Sequence, residues 1–497
     1  MIKAIKYNHI NIMARGLLFL LVTFCLINCS SSSEEDPITP DPDPDPNPPT
    51  EITNEVDFWL TTGDKQNLLK KQSDIIAFES KANNFQTIEV NNQESYQTID
   101  GFGFTLTGGS AKAINSLPAG NKDALLKELF GFNENSISIS YLRISIGASD
   151  LNDYPFTYND ISLGETDESL SKFSLEEDLD GVIAILQDII AINPNIKILG
   201  TPWTAPIWMK DNKSFIGGSL LPEYYDVYAQ YFVKYIQEMK NLGITIDAIT
   251  IQNEPLHDGN NPSMYMTAEA QTEFIKNSLG PAFEAANLQT KIIAWDHNCD
   301  NPEYPISVLK DNLAYQYTDG SAFHLYSGDI SALTKVHNAF PEKNVYFTEQ
   351  YTSSDGSFSG DLNWHLKNVI IGSMRNWSKN ALEWNLANDQ NFQPHTDGGC
   401  TVCKGGLTIN SSGNITRNVG YYIVSHASKF VPQGSIRVGS NISGSLINVA
   451  FKTPNGDTVL LVLNEGSVDE QFNVKQGEEW FTTYLKAGAV GTFIWDK

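Results

Sequence analysis

The sequence predicts an α/β fold: a (β/α)8 TIM barrel with a β-sandwich side domain formed from both chain ends. In the middle of the 497-residue chain, eight short apolar runs alternate with helix-like stretches over about 300 residues. Near both ends of the globular part, the apolar runs are separated by Gly, Asn and Asp, which is typical of antiparallel β structure. These two patterns predict a parallel barrel joined to one smaller β domain.

The eight apolar runs predict the barrel strands in chain order. Helix-like segments such as LEEDLDGVIAILQDIIAIN and PEYYDVYAQYFVKYIQEMKNLG separate them, and strand–helix alternation argues for a parallel sheet. A doubly wound open sheet is the alternative, but no Gly-rich phosphate loop follows the first strand, which disfavours its nucleotide-binding version. The runs are TIDGFGF (98–104), SYLRISIG (140–147), KILGTPW (197–203), DAITIQNE (247–254), KIIAWDH (291–297), SAFHLY (321–326), NVYFTEQ (344–350) and ALEWNLA (381–387).

The side domain is predicted from short strands at both ends of the globular part, which we expect to share one sandwich. These strands cover residues 56–60, 75–78, 85–90, 447–453, 458–466, 471–475 and 491–497. The predicted organisation is a signal segment (1–28), a Pro-rich linker (29–52), sandwich strands (53–97), the barrel (98–428) and the rest of the sandwich (429–497).

The N-terminal segment has a pattern typical of an export signal. Basic residues precede the twelve-residue run GLLFLLVTFCLI (16–27), which is shorter than the about 20 residues of a membrane-spanning helix. The run ends within LINC (26–29), which resembles a bacterial lipoprotein processing site, and the acids that follow resemble a surface-export signal of such proteins. The resemblance implies that Cys29 is lipidated and that an anchored, surface-exposed outer-membrane lipoprotein results. The alternative is an ordinary secretory signal with an incidental Cys.

The stretch DPITPDPDPDPNPPT (36–50) predicts a spacer. Seven of its 15 residues are Pro, which favour an extended and semi-rigid chain. Such a segment suits the distance between a lipid anchor and a globular body. We therefore expect the lipid to be the only membrane contact.

Charge and cysteine content exclude several classes of function. The formal net charge of −26 opposes binding to a phosphate backbone, so no nucleic-acid partner is expected. The pair in CTVC, Cys400 and Cys403, is too few for a zinc site, and no βαβ redox pattern surrounds it. A local disulfide is favoured over free thiols if the compartment is oxidising. No ligand cluster predicts a metal or a cofactor, and we expect a monomer.

Two apolar runs end on carboxylates. AITIQNEP (248–255) carries Glu254 at the predicted end of strand four, and NVYFTEQY (344–351) carries Glu349 at the end of strand seven. The carboxyl ends of barrel strands build the active site. Further candidates at or near strand ends are Trp203, Asp296, His324, Tyr326 and Trp384. The combination predicts a cleft rich in acids and aromatics.

Two carboxyl groups that flank a glycosidic bond are the minimal machinery for its hydrolysis, one as a proton donor and one as a nucleophile. Asn253 can bind a sugar 2-hydroxyl, and Trp203 and Trp384 offer flat faces to a pyranose ring. Each feature alone has a commoner structural explanation: a solvated loop acid, a core Trp, or a satisfied structural His324. Their coincidence at strand ends favours catalysis.

The chain resembles glycoside hydrolase family 30, the glucosylceramidase family. The resemblance implies the same barrel and sandwich, a retaining mechanism, Glu254 as acid/base and Glu349 as nucleophile. It further implies substrate contacts from Trp203, Asn253, His324, Tyr326 and Trp384, with Arg143 beneath them. The matching segments are DGFGFTLTGGSA (100–111), YLRISIG (141–147), TPWTAPIWMK (201–210), ITIQNEP (249–255), FHLY (323–326), FTEQY (347–351), WNLA (384–387) and HASKFVPQGSIRVG (426–439).

One departure from the family pattern bears on specificity. Many members carry an acidic residue where this chain has Gly108, and in glucosylceramidases that acid binds a hydroxyl of the terminal sugar. The TLTGGSA segment and the GGCTVCKGGLTI loop look more like the branch acting on β-1,6-glucans. The expected substrate is therefore a β-1,6-glucan, ahead of glucosylceramide or another β-glucoside, with xylan third. A non-catalytic glycan-binding surface lipoprotein is the alternative from another class, and the paired carboxylates disfavour it.

Overall fold

The computed structural model describes residues 53–80 and 83–496. The predicted signal segment, Cys29 and the Pro-rich stretch lie outside these residues. Residues Ile52–Lys497 form one compact unit. Among the described residues, the helices are all too short or too polar to span a membrane.

Eight strands close into a parallel barrel, which confirms the predicted fold. Each strand pairs with the next in chain order, and the last pairs with the first. The strands are Gly101–Leu106, Tyr141–Ser145, Lys197–Thr201, Ala248–Thr250, Lys291–Cys299, Thr318–Gly328, Asn344–Glu349 and Ser378–Asn385. Below, they are called barrel strands one to eight.

The barrel interior changes from apolar to polar along the strands. An inner layer is made of Tyr141, Leu199, Ala248, Ile293, Ala322, Tyr346 and Leu382, all buried. Side chains two positions apart on a strand share a face, so the next inward layer contains Arg143, Thr201, Thr250, His324, Thr348 and Trp384, all of them buried. Toward the carboxyl ends of the strands, the barrel interior therefore changes from a layer of mainly apolar side chains to a layer with hydrogen-bonding groups.

Helices surround the barrel, and several begin at a side-chain cap, such as Thr107, Thr267, Asp311 and Ser357. Three helices contain a π-type turn, at Leu179–Ile183, Ile275–Leu279 and Leu366–Ile371, and short 3₁₀ turns lie at Ile207–Met209 and Pro222–Tyr224. The α-helices are Gly108–Asn115, Ala119–Phe130, Glu176–Asp178, Ala184–Ile192, Tyr225–Asn241, Ala268–Phe274, Gly280–Ala285, Glu303–Lys310, Asn312–Tyr317, Ala332–Ala339, Phe358–His365, Gly372–Arg375 and Val419–Ser428.

The side domain draws strands from both chain ends, as predicted. Its neighbours, in order across the sheet, are Lys70–Lys71, Asp57–Thr61, Val490–Trp495, Thr458–Asn464, Leu446–Lys452, Ile436–Ser440, Gln86–Thr98, Glu470–Gln476 and Glu479–Leu485. The strand predicted at 75–78 is wrong: the Ile76 carbonyl accepts from the Glu55 and Val56 amides, but the segment is not one of the strands of the described sheet. Ile436–Ser440 and Glu479–Leu485 are strands that the sequence patterns did not single out.

Two small sheets shape the loops above the barrel. Thr352–Ser353 pairs with Cys403–Lys404, and Ala387–Asn388 pairs with Leu407–Ile409, which in turn pairs with Ile415–Arg417. A disulfide joins Cys400 to Cys403. The loop that carries both cysteines is therefore attached to the chain that follows barrel strands seven and eight.

Candidate active site

The backbone around Glu254 is strained and tied down. Barrel strand four ends at Thr250, four residues earlier than Glu254, and Glu254 has a positive φ of 45°, which costs energy for a residue with a side chain. The Glu254 amide donates to the Asp296 carbonyl at 3.0 Å, and the Asn253 amide donates to the Pro202 carbonyl at 2.8 Å. These bonds fix the direction in which the Glu254 side chain leaves the loop.

Glu254 and Glu349 face each other across the imidazole of His324. His324 Nδ1 lies 3.1 Å from Glu254 Oε1 and 3.8 Å from Glu349 Oε1. One oxygen of each carboxylate and one ring nitrogen all lie within 4.8 Å of one another. This spacing agrees with the about 5–5.5 Å between carboxyl groups of a retaining pair, and an inverting pair stands about 6.5–9.5 Å apart.

Arg143 lies beneath the pair and is completely buried. Its guanidinium donates to Glu349 Oε2 at 2.5 Å, to Asn253 Oδ1 at 2.6 Å and to Asp296 Oδ2 at 2.8 Å. The planar fork of donors suits several acceptors at once. Arg143 therefore fixes the nucleophile candidate and the sugar-binding amide candidate relative to each other.

Asp296 is the anionic centre of this network. It accepts bonds from Thr250 on Oδ2 and from Thr348 on Oδ1, and it faces His324 Nε2 at 3.1 Å. Burial alone would raise the pKa of Asp296, but the Arg143 cation and His324 hold it well below its usual range. Sequence reasoning placed Asp296 near a strand end without giving it a role.

His324 is an imidazolium in this setting, because both ring nitrogens face carboxylate oxygens and only N–H groups can donate to both. Burial lowers the pKa of His324, but the Glu349 charge and the bonds with Asp296 and Glu254 outweigh burial and raise it to about 9. His297 differs: burial lowers its pKa to about 4, so it is neutral. It lies 3.9 Å from Glu254 and was missed from the sequence.

One proton on the glutamate pair balances the charges of the cluster. Arg143 and His324 supply two positive charges, and Asp296 with one ionised glutamate supplies two negative charges. Burial raises the pKa of Glu349, against the charges of His324 and Arg143. Burial also acts to raise the pKa of Glu254, but the His324 hydrogen bond and charge outweigh it and lower that pKa. The surroundings therefore shift the pKa values of the two carboxyl groups in opposite directions.

The contacts nevertheless give the two acids different roles. Glu349 accepts from Arg143 on one oxygen and from the Tyr326 hydroxyl on the other, at 2.9 Å, so both oxygens are held as a carboxylate requires. Glu254 accepts from His324 on Oε1, and its Oε2 has no hydrogen-bond partner among the described residues. That free oxygen can carry a proton toward a ligand. The donors on both Glu349 oxygens suit a nucleophile, and the free Oε2 of Glu254 suits a proton donor.

The other predicted residues line the same cleft, which has a volume of about 180 Å³. Trp203 and Trp384 are almost fully buried, with ring centroids 5.4 Å apart, and the Arg143 guanidinium lies 4.8 Å from the Trp203 centroid. Tyr326 is the most exposed of the set, at 37%. Trp203 and Trp384 therefore form a wall beside Arg143, and Tyr326 stands nearer the opening.

The cleft also contains residues that sequence reasoning missed. Asp150, which follows barrel strand two, and Tyr351, beyond strand seven, line it together with Cys400 and Cys403. A Cβ on Gly108 would lie 2.1 Å from Asn152 Nδ2, so a side chain at position 108 requires the Asn152 amide to move. A larger cleft of about 660 Å³ lies at residues such as Asn193, Lys197 and Gln433, away from the carboxylate pair.

The donor set of Glu254, His324 and Glu349 could be mistaken for a metal site, because its ligand atoms lie within 4.8 Å of one another. The protonation of His324 argues against this use, since an imidazolium with both N–H groups donating has no lone pair for a cation. The cluster is better suited to proton transfer. Hydrolysis in the presence of a chelator measures this directly.

The fold and the site define a glycosidase of the retaining class: a TIM barrel with two close carboxylates at the carboxyl ends of its strands. The sequence matches the family model described as the glycosyl hydrolase family 30 TIM-barrel domain over residues 99–431. It matches the glycosyl hydrolase family 30 beta sandwich domain over residues 434–493. The chain belongs to glycoside hydrolase family 30, and it is a glycoside hydrolase.

Similar proteins agree with this assignment. An endo-1,6-β-D-glucanase of Aspergillus fumigatus is 36% identical over 423 residues, 79% of this chain and 84% of that protein. A putative glucosylceramidase of Caenorhabditis elegans is 29% identical over 406 residues, 76% of each chain. The solved structure of the endo-β1,6-glucanase BT3312 superposes with a TM-score of 0.83 at 35% identity, covering 89% of this chain and all of that one.

Proposed function

We propose that the protein is a retaining endo-β-1,6-glucanase. The observation that carries the chemistry is the pair Glu254 and Glu349, which share the His324 imidazolium within 4.8 Å. The linkage is supported by the higher identity to proteins named as endo-1,6-β-glucanases, 36% against 29% for a glucosylceramidase relative. The glycine at position 108 also supports it, because this chain has no acid there to bind a terminal sugar.

The reaction follows from the contacts. Glu254 donates its proton from Oε2 to the glycosidic oxygen while Glu349 attacks the anomeric carbon, so the bond to the leaving sugar breaks and a glycosyl-enzyme ester forms. Glu254, now a carboxylate, removes a proton from water, which attacks the same carbon and releases Glu349. Two inversions give net retention. Arg143 and Tyr326 hold the Glu349 oxygens throughout.

Asn253 supports this scheme at the sugar 2-hydroxyl. Its Oδ1 accepts from Arg143 at 2.6 Å, which directs the side-chain NH₂ group away from the guanidinium. A hydrogen bond between Asn253 and the 2-hydroxyl strengthens as charge develops at the anomeric carbon. Tyr326, at the opening of the cleft, contacts the same sugar.

Product analysis tests the proposal. The chain from Thr50 onward is incubated with a β-1,6-glucan, a β-1,3-glucan, xylan and an aryl β-glucoside. Short gluco-oligosaccharides that arise from the β-1,6-glucan, with β-anomers forming first by NMR, are the expected result. Release of only glucose, mainly from the aryl glucoside, contradicts endo action and moves the protein to the exo-β-glucosidases. A first product in the α-configuration contradicts retention.

We also propose that the protein is an outer-membrane lipoprotein, anchored through Cys29 and exposed at the cell surface. The LINC segment and the Pro-rich stretch at 36–50 support this. In cells that process lipoproteins, the protein is expected in the membrane fraction and accessible to an external protease. Cys29→Ala is expected to release it to the soluble fraction with glucanase activity unchanged. Retention of the variant in the membrane contradicts lipidation.

A further inference from the structure

His297 is a buried histidine beside Glu254 that the mechanism above does not use. It is 8% exposed, and its Nε2 lies 3.9 Å from Glu254 Oε1. His297 follows Asp296 directly in barrel strand five, so two consecutive side chains of this strand reach the carboxylate network. Asp296 joins the contacts around Arg143, whereas His297 faces the acid/base candidate.

A strained bulge in barrel strand five brings both residues to the site. Trp295 and Asp296 have positive φ angles of 74° and 73°, which are costly for residues with side chains. The pairing with strand six shifts between Trp295 and His297. Trp295 packs in the cluster of the barrel and its helices, 4.3 Å from the Tyr304 ring, and its amide donates to Gln271 Oε1 at 3.0 Å. Bulges next to active sites re-aim side chains in this way, so the strained backbone places Asp296 and His297 beside the glutamate pair.

The imidazole of His297 is neutral and has a single donor. Burial lowers its pKa to about 4, against the attraction of Glu254, so one ring nitrogen carries hydrogen and the other is bare. Nδ1 is buried and has no hydrogen-bond partner within residues 53–80 and 83–496. We place the hydrogen on Nε2, because the other tautomer buries an N–H without an acceptor and turns the Nε2 lone pair toward the carboxylate. The donor of His297 is therefore directed at Glu254.

The neutral state of His297 suits its place beside an acid/base. The charged groups that act on it are Glu254, His324, His257 and Asp300, and the His324 ring lies 6.4 Å away between centroids. His324 already supplies one cation to Glu254 Oε1, at 3.1 Å. A second cation there would lower the pKa of Glu254 further and oppose its protonation, which the first step of the reaction requires. A neutral N–H holds the carboxylate with a smaller effect of this kind.

We propose that His297 is a positioning residue for Glu254 in the second half of the reaction, where its Nε2–H donates to the Glu254 carboxylate. The inference rests on the proposed function, because it takes Glu254 as the acid/base. In that half, water attacks the anomeric carbon, the bond to Glu349 breaks, and a water proton passes to Glu254 Oε2. His297 keeps its proton throughout. The present 3.9 Å is too long for a hydrogen bond, and it shortens when Glu254 becomes charged, because charged acceptors form shorter and stronger bonds.

Kinetics on an activated glycoside test this contact. In the dinitrophenyl β-glycoside of β-1,6-linked glucobiose, the leaving group departs without a proton, so the step that needs Glu254 as a base limits kcat. His297→Ala is expected to lower kcat by about 10- to 100-fold, the effect of losing a hydrogen bond to a charged group. It is expected to change kcat/KM, which reports the first step, by less than about twofold. Azide attacks the glycosyl-enzyme without a base, so added azide is expected to restore the kcat of His297→Ala to the level of wild type, with a β-glycosyl azide as product.

Two more substitutions separate the donor from the packing of the ring. In His297→Gln, the amide nitrogen takes about the place of Nε2 and still donates, so kcat is expected to stay within about threefold of wild type. His297→Leu fills the space without a donor and is expected to behave as His297→Ala, which keeps the test valid if the alanine variant is unstable. The control is His337→Gln, where a partly buried imidazole stacks on Trp377 outside the cleft. It is expected to act as wild type.

Three results overturn the proposal: an unchanged kcat in His297→Ala and His297→Leu, equal losses of kcat and kcat/KM, or a loss that azide does not restore. A second readout is the glycosyl-enzyme on Glu349, followed by mass spectrometry after the substrate is exhausted. It is expected to decay more slowly in His297→Ala than in wild type, and equal decay also overturns the proposal.

Glu254→Ala distinguishes this failure from failure of the proposed function. If azide restores Glu254→Ala but not His297→Ala, Glu254 is the acid/base and the role of His297 is wrong. If azide restores neither variant, the role of Glu254 is wrong, and the role of His297 is wrong with it.

Discussion

Glu349 is held by donors on both oxygens, Arg143 Nη1 at 2.5 Å and Tyr326 Oη at 2.9 Å. Glu349→Gln keeps the shape of the side chain but removes the nucleophile. We expect hydrolysis to fall by about 10⁴-fold or more, as for other covalent nucleophiles, while calorimetry still detects oligosaccharide binding. Glu303→Gln, at an exposed ion pair with Lys335, is the matched control and is expected to act as wild type. Residual activity of Glu349→Gln near that of the control contradicts the assignment.

His324 links the active site to the stability of the fold. Its pKa is about 9 in the folded protein and about 6.5 in an unfolded chain. The charged form therefore stabilises the fold fully below about pH 6.5, and the contribution is lost as the pH rises through about 9. The difference between the two pKa values corresponds to about 3 kcal/mol of unfolding free energy.

Urea titrations of wild type and His324→Gln between pH 6 and pH 10 measure this contribution. We expect the free energy of unfolding of wild type to fall, relative to the variant, by about 3 kcal/mol over that range. Glutamine does not titrate, so the slope belongs to His324. Parallel curves for the two proteins contradict the charged state of His324.

At the scale of elements, the helix Val419–Ser428 connects the barrel to the sandwich through His426. The two ring nitrogens of His426 lie 2.9 Å from the Thr492 hydroxyl and 2.8 Å from the Thr61 hydroxyl, one from each end of the chain. Burial lowers the pKa of His426 to about 3. A neutral imidazole suits hydroxyl partners, and within the described part of the chain His426 forms no ion pair with a carboxylate that would stabilise a cation.

The pH dependence of His426 is opposite to that of His324. Above about pH 6.5, His426 is neutral in both the folded and the unfolded protein. As the pH falls from about 6.5 toward about 3, the unfolded chain binds a proton on this residue that the folded protein does not, so the free energy of unfolding decreases. We expect wild type to lose about 1.4 kcal/mol of unfolding free energy per pH unit below 6.5 from this residue. Thermal unfolding of His426→Gln between pH 7 and pH 4.5 is expected to show a shallower decline, and His257→Gln, at an exposed position, is expected to follow wild type. An unchanged slope in His426→Gln contradicts this account.

Periodicity in the sequence predicted the elements better than it predicted the contacts between them. All eight barrel strands were predicted, because each is an apolar run between helical stretches. Ile436–Ser440 was not, since IRVGS contains a charged residue and a glycine and becomes a strand through its neighbours in the sheet. The run at 75–78 has the composition of a strand, but its Ile76 carbonyl bonds to the Glu55 and Val56 amides outside the strands of the described sheet.

The site was predicted where a strand end presents a residue directly. Glu349 is the last residue of barrel strand seven, and His324 lies in strand six, so strand patterns locate both. Asp150 and His297 could not be found this way. Asp150 enters the cleft through a loop held by residues 250 positions later, such as Cys400, and His297 follows a register shift in strand five. Local hydrophobic periodicity predicts neither the contact between these distant loops nor the register shift within strand five.

At the scale of the whole molecule, the barrel and the sandwich share one core. Thr458–Asn464 is buried along its entire length, and its side chains alternate between two apolar clusters. Leu460 and Val462 face the interior of the sandwich, whereas Val459, Leu461 and Leu463 pack in the same cluster as the barrel and its helices. This strand therefore cannot bury both faces unless barrel and sandwich are both present.

The shared core predicts that the two parts unfold together. The sandwich contributes Val449, Phe451, Val459, Leu461, Leu463 and Val490 to the barrel cluster. At about 1.5–3 kcal/mol for each buried large apolar side chain, this is on the order of 10 kcal/mol. The total matches the whole stability of a typical domain, about 5–15 kcal/mol. We therefore expect one calorimetric transition for the protein, with equal calorimetric and van't Hoff enthalpies.

Truncation tests this dependence directly. Removal of residues 434–497 is expected to give an insoluble or non-cooperative chain without hydrolase activity, although every residue of the catalytic pair and its network is retained. Removal of residues 1–52 is the control and is expected to leave the melting temperature and kcat/KM unchanged. A soluble barrel that melts cooperatively, or two separate transitions in the full protein, contradicts a shared core. The sandwich is thus required for catalysis because it is required for folding. Exposing to water the apolar face that it covers costs about as much free energy as the whole stability of a typical domain.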